Sequence, residues 1–239
     1  MNIAIIGYGK MGHMIEEVAR QRGHNIVCII DADNLQDFDS AAFRSADAAI
    51  EFTTPATAVD NIRRAWQQGV PVVSGTTGWN NMLPTLKNEA EQQGKGLFWT
   101  SNFSLGVNAV MAVNRRLAEI LHSNDDYDIS VTEIHHIHKK DKPSGTAISL
   151  AEDIVERTDR LKEWRLEENI DNPLTQLPII SVREGEVPGT HIIVYDSDVD
   201  TVSITHKAKS RKGFALGAVI AAEFMQGKTG FHNMRELVG

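Results

Sequence analysis

Short apolar runs recur along the first hundred residues: IAII at 3–6, IVCII at 26–30, AAIEF at 48–52, VPVVS at 70–74 and LFWT at 97–100. Nearly continuous apolar runs of this length predict strands buried on both faces of a parallel sheet. Between them, apolar positions recur at helical spacing over 11–22, 56–68 and 80–93. The connection from Asp31 to Ser45 is polar and weakly patterned, so only a short helix is expected there. Alternating strands and helices predict a doubly wound α/β domain. After Ser101 the rhythm changes: a helix over 105–122, a long strand over 127–136 and a helix over 144–160. Strands follow at 177–184, 190–197 and 200–208, then a last helix over 213–226. Short turns such as VPGT predict an antiparallel or mixed sheet in this second, α+β part. The expected organisation is a first domain over 1–103, rejoined by the last helix and tail over 210–239, and a smaller second domain over 104–209.

Composition narrows the function classes. A net charge of -8 argues against a general nucleic-acid partner, which requires a broadly basic face. The apolar stretch FALGAVIAAEFM, 214–225, is too short for a bilayer span and carries Glu223, so no membrane partner is expected. Cys28 is the single cysteine, which excludes an internal disulfide and fits a reducing compartment. The first strand begins almost at once, which leaves no room for a signal peptide, and a cytoplasmic protein is expected.

Two segments carry candidate chemistry. In IAIIGYGKMGHMIEEVA, Gly7, Gly9 and Gly12 form a G-x-G-x-x-G loop between a strand and a helix. Such a loop lets the backbone approach a pyrophosphate at a helix N-terminus. Asp31 ends the second strand, roughly where a ribose-binding carboxylate is expected. The first domain is therefore read as a Rossmann-type dinucleotide-binding sheet. A carboxylate repels a 2′-phosphate and Ala32-Asp33 supply no cation, so NADH is preferred over NADPH; Lys10 is the residue through which NADPH would be accommodated. EFTTP (51–55) and SGTTG (74–78) lie at further strand ends, where small residues admit a nicotinamide ribose or ring.

The other segment, EIHHIHKKDKPSGTA, spans 133–147 and holds three of the nine histidines, followed by Lys139, Lys140 and Lys142. Period-two alternation puts Glu133 and His135 on one strand face and His136 on the other. The spacing His136-x-His138 suits a metal, but no cluster elsewhere completes a coordination sphere and the lysines oppose a dication, so no metal is expected. An acid–base reading uses more of the segment, since histidine titrates near neutrality and a lysine among cations can be tuned downward. Ser144 then caps a helix whose start offers an anion seat. These features together describe a pocket for a small polyanion that needs protonation.

This segment resembles the E-x-H-H-x-x-K-x-D-x-P-S-G-T-A signature of the dihydrodipicolinate reductase family. GYGKMG, EFTTP, GTTG, SNFSLGVN (101–108) and THKAKSRKGFALGA (205–218) are similar to family blocks in family order. The resemblance implies NAD(P)H-dependent reduction of 4-hydroxy-tetrahydrodipicolinate, a cyclic dicarboxylate, with loss of water, on the diaminopimelate route to lysine. It implies proton transfer by His135 and Lys139, and substrate carboxylate binding by His136, Gly145 and Thr146. It implies cofactor contacts at Gly7, Tyr8, Gly9, Lys10, Met11, Gly12, Asp31, Phe52, Thr53, Gly75, Thr76, Thr77, Thr100, Ser101, Asn102, Phe103, Arg211 and Phe214. A homotetramer built through the second-domain sheets is implied as well. The chain departs from the family in its tighter glycine loop and in Lys142 before Pro143. Rival readings are another two-domain Rossmann oxidoreductase, a non-enzymatic NAD-binding regulator, and a metal-dependent hydrolase.

Overall fold

Period-two alternation divides the first strand between two cores. In the computed structural model, which describes residues 1–238, β1 (Asn2–Ile6) turns Ile3 and Ile5 into one apolar cluster and Ala4 and Ile6 into another. Both faces of the sheet are therefore covered, and the strand reads as an unbroken apolar run. The elements that follow are α1 (Lys10–Gln21), β2 (Asn25–Ile30), α2 (Ala41–Arg44), β3 (Ala48–Glu51), α3 (Ala58–Gln67), β4 (Val72–Ser74), α4 (Leu83–Gln93), β5 (Gly96–Trp99) and α5 (Leu105–Ile120). The second half adds β6 (Asp128–His135), α6 (Gly145–Val155), β7 (Glu163–Leu166), β8 (Gln176–Arg183), β9 (Thr190–Asp196), β10 (Thr201–Lys207), α7 (Lys212–Met225), β11 (Gly230–His232) and α8 (Met234–Val238).

The chain divides into two compact units, Met1–Leu105 with Lys212–Gly239, and Gly106–Arg211. The first holds a parallel sheet of order β11-β5-β4-β3-β1-β2. Helices α1 and α7 cover one face, and α3 and α4 the other. Strand order reverses between β1 and β3, so ligands are expected at the carboxyl ends of those strands. This is a Rossmann-like fold.

The second unit holds a mixed sheet of order β10-β9-β6-β8-β7. β6 and β10 pair antiparallel with β9, while β6 and β7 pair parallel with β8. One face packs Val131, Ile179, Ile193 and Tyr195 against Leu150, Ala151 and Ile154 of α6. The helix expected to reach residue 160 ends at Val155, where Thr158 donates its hydroxyl to the Ile154 carbonyl (2.8 Å) and closes the last turn. Strands β7 and β11 and helix α8 were not expected from the sequence. Among the described residues, no helix is long and apolar enough to cross a membrane.

Candidate active site

The nucleotide end of the first unit is built by close backbone approach. Gly7 leaves β1 at φ +92°, and a Cβ there would lie 2.1 Å from the Phe52 carbonyl oxygen. A Cβ on Gly12 would lie 2.3 Å from the Gly7 carbonyl oxygen, so loop and helix meet through glycine alone. Around Gly9 there is open space, and this N-cap residue has no side chain with which to cap α1. A tight loop closed on its inner side and open before a helix start fits a pyrophosphate. Lys10 is exposed, Met11 and Tyr8 are half-buried, and the Tyr8 hydroxyl donates to Glu16.

Asp31 is exposed just beyond β2, and its Oδ1 accepts the Ala32 N–H (2.9 Å). Phe52 and Thr53 follow β3; Gly75, Thr76 and Thr77 follow β4. Ser101 is exposed, with Thr100 and Asn102 half-buried. Phe103 differs from a ligand contact through its ring: it is 2% exposed and packs in the core beside Phe98, leaving only its backbone for a cofactor. Phe214 also packs against that core, while Arg211 is exposed. Cys28 lies on β2 with its thiol pKa pushed up by burial, which argues against a cysteine nucleophile.

In the second unit, β6 aims Glu133 and His135 into the sheet's inner face. Glu133 is fully buried and accepts hydrogen bonds from His135 Nδ1, the Ser181 hydroxyl and Arg183 Nη1 (2.8 Å for the last). Burial alone would raise its pKa, but the bonds from His135, Ser181 and Arg183 outweigh that and hold it at about 2. A carboxylate opposite Nδ1 fixes the His135 tautomer and leaves Nε2 to take or give a proton. Arg183 also donates to the backbone carbonyls of Lys139 (3.3 Å, from Nε) and Asp141. One buried ion pair thus anchors both the histidine and the loop that carries the lysine.

Lys139 Nζ pairs with Asp141 at 2.8 Å. Its partner is a carboxylate, so the expected crowding by other cations is not what surrounds it; Lys142 instead pairs with Glu168 and Lys140 is exposed. His136 is half-buried, and its Nδ1 is buried without a partner among the described residues. Ser144 caps α6 by accepting the Ala147 N–H (3.3 Å), and Gly145 and Thr146 open that helix.

His191 on β9 was not foreseen. It is 5% exposed, lies edge-on to His135 with ring centroids 5.3 Å apart, and its Nε2 is 3.4 Å from the Ser144 hydroxyl. Burial, with His135 beside it, lowers its pKa to about 4, so it is neutral at pH 7. Glu133, His135 and His191 bring ligand-type atoms within 4.8 Å of one another, a grouping the spacing His136-x-His138 did not indicate. Arg183 and His135 occupy the two carboxylate oxygens, and this arrangement is that of an ion-paired acid–base centre.

A switch-point glycine loop in one unit and an acid–base centre in the other define a Rossmann-type oxidoreductase of two-domain construction. Family models agree in detail: dihydrodipicolinate reductase, N-terminus, matches residues 1–103, and dihydrodipicolinate reductase, C-terminus, matches 106–238. The chain belongs to the dihydrodipicolinate reductase family, whose members are reductases dependent on a pyridine nucleotide. It is 44% identical over 238 residues to the 4-hydroxy-tetrahydrodipicolinate reductase of Christiangramia forsetii, covering 100% of this chain and 98% of the relative. It is 34% identical to the enzyme of that name from Lawsonia intracellularis, covering 94% and 93%. Among solved structures, a dipicolinate-bound dihydrodipicolinate reductase from Paenisporosarcina sp. TG-14 shares the fold, with TM-score 0.77 at 21% identity and 98% and 97% coverage.

Proposed function

We propose that this chain reduces 4-hydroxy-tetrahydrodipicolinate to tetrahydrodipicolinate with loss of water, using NADH in preference to NADPH. The observation that carries the assignment to this site is the tie of His135 and the Lys139 loop to one buried carboxylate. Bound reduced nicotinamide supplies the hydride. Loss of water leaves an α,β-unsaturated imine, and hydride addition leaves an electron-rich enamine that must be protonated. Lys139 is assigned the proton delivered there, and His135, with Nε2 open, the exchange of protons around it. His136, Gly145 and Thr146 are assigned to the substrate carboxylates, where the start of α6 favours an anion.

The glycine loop is assigned the pyrophosphate and Asp31 the adenosine ribose, whose hydroxyls donate to its carboxylate. A 2′-phosphate would face that carboxylate, and the expected NADH preference follows from this repulsion. A coupled assay tests both points. The upstream synthase, pyruvate and aspartate semialdehyde are mixed with this protein, and nicotinamide absorbance is followed with each cofactor. Consumption is expected only when all components are present, with a lower KM for NADH. No consumption would overturn the reaction, and a lower KM for NADPH would overturn the role of Asp31.

A cytoplasmic homotetramer is proposed with this activity. The second-unit sheet supports the assembly, because Ile134, Ile180, Val182, Ile192 and Val194 alternate away from the face packed under α6 and are half-buried rather than enclosed. An apolar sheet face of this kind suits a second copy of the chain. Light scattering on the purified protein is expected to give four times the chain mass, and Ile192→Arg a smaller species. A monomeric wild type would refute the assembly.

A further inference from the structure

Glu51, the last residue of β3, is fully buried and has no ion-pair partner among the described residues. Four donors converge on it instead. The Ser74 hydroxyl at the end of β4 donates to Oε2. The hydroxyls of Thr53 and Thr76 and the Thr53 N–H donate to Oε1, the last two at 2.8 and 3.0 Å. The Glu51 carbonyl also accepts the Gly75 N–H (2.9 Å), and the Thr53 N–H is shared with Thr76 Oγ1 (2.8 Å). One residue therefore holds the chain just after β3 and the chain just after β4 in a fixed relation.

The geometry points to Glu51 as a positioning residue that shapes the loops 52–54 and 75–77 for the nicotinamide half of the cofactor. The inference rests on the reading that assigns those loops to the nucleotide. Five further contacts agree with it. Both indole N–H groups of Trp79 and Trp99 donate to the Thr76 carbonyl (2.7 and 3.1 Å), so the loop is pinned from its other side too. A Cβ on Gly75 would fall 2.2 Å from the Phe52 ring, so the two loops are also in direct contact. Thr53 Oγ1 accepts from Thr57 (3.0 Å) and from Asn61 (3.2 Å), which extends the network into α3.

A buried carboxyl with no cation is costly to keep. Burial pushes its pKa up against the opposing bonds from Ser74, Thr53 and Thr76. An apolar side chain of similar size would fill the site without that cost, so its presence is better explained by the donors it organises than by stability. With its hydrogen directed at Glu51 and one lone pair taken by the Thr53 N–H, the Thr76 hydroxyl keeps one acceptor position, whereas the Thr53 hydroxyl is filled by Glu51, Thr57 and Asn61. An amide N–H or a ribose hydroxyl is the complementary ligand chemistry.

The test is calorimetric titration of the full-length protein and its Glu51→Leu and Glu51→Gln variants with NADH and, separately, with ADP. On the same reading ADP engages the glycine loop and Asp31 and does not reach the loops 52–54 and 75–77. Glu51→Leu is expected to weaken NADH about ten- to a hundredfold while the ADP affinity stays within about twofold. Glu51→Gln, which keeps one acceptor oxygen and the same shape, is expected to fall between Glu51→Leu and the wild type. It also serves should the leucine variant not fold. NADH affinities within about twofold of the wild type in the folded variants would overturn the inference, as would parallel losses of NADH and ADP. A wild type that binds no NADH would overturn the reading of function itself, and is distinguished by that control.

Discussion

Replacing Lys139 with alanine is expected to lower kcat by about 10²- to 10⁴-fold while the NADH dissociation constant stays within about twofold. The ammonium lies on a loop whose carbonyl at the same residue is held by Arg183, and its Nζ is paired with Asp141 at 2.8 Å. Both contacts belong to the second unit, whereas the glycine loop lies in the first. Lys139→Arg separates charge from proton transfer. Arginine keeps the cation proposed to serve the substrate but does not give up a proton in this pH range. The arginine variant should therefore keep a substrate KM close to the wild type and lose kcat nearly as far as alanine does. His135→Ala should show the same split, because Nε2 is the nitrogen that Glu133 leaves free for exchange. Stopped-flow turnover together with equilibrium NADH binding decides it. Equal losses in turnover and nucleotide binding would remove both residues from proton transfer.

Much of this architecture is legible in the chain because its physical causes are local. The glycine loop declares itself through three residues of one turn, and Glu133 and His135 share a face by strand period alone. What remained hidden depends on register between distant strands. Glu133 stands opposite Ser181 on β8 and His191 on β9, and His135 stands opposite Arg183. Nothing within 133–147 specifies those pairings. Glu51 is hidden for the same reason: it acquires Ser74 as a partner only through the alignment of β3 with β4. The short edge strands escaped for a different cause. Glu-Trp-Arg-Leu of β7 offers only two cycles of alternation, and Gly230–His232 of β11 pairs on one side only, so each becomes a strand because a neighbour supplies the ladder.

Glu133→Gln is expected to destabilise the protein by about 3–5 kcal/mol, because it leaves the largely buried Arg183 without its anion. The same change should lower kcat, since His135 would lose the acceptor that fixes its tautomer and Arg183 the pair that steadies the Lys139 loop. The pH dependence separates this role from generic packing. The folded carboxyl is held at about 2, against a reference of 4.5, so its stabilising contribution is complete above that reference and is lost as pH falls toward 2. His191 acts at higher pH: its folded value of about 4 lies below the reference of 6.5, so its contribution is complete above 6.5 and declines toward 4. Wild-type thermal midpoints should therefore fall in two stages on acidification. Glu133→Gln should start lower and keep the upper stage while losing its part of the lower one. A variant whose midpoint follows the wild-type slope between 4.5 and 2 would show that the carboxylate is not held ionised by His135, Ser181 and Arg183.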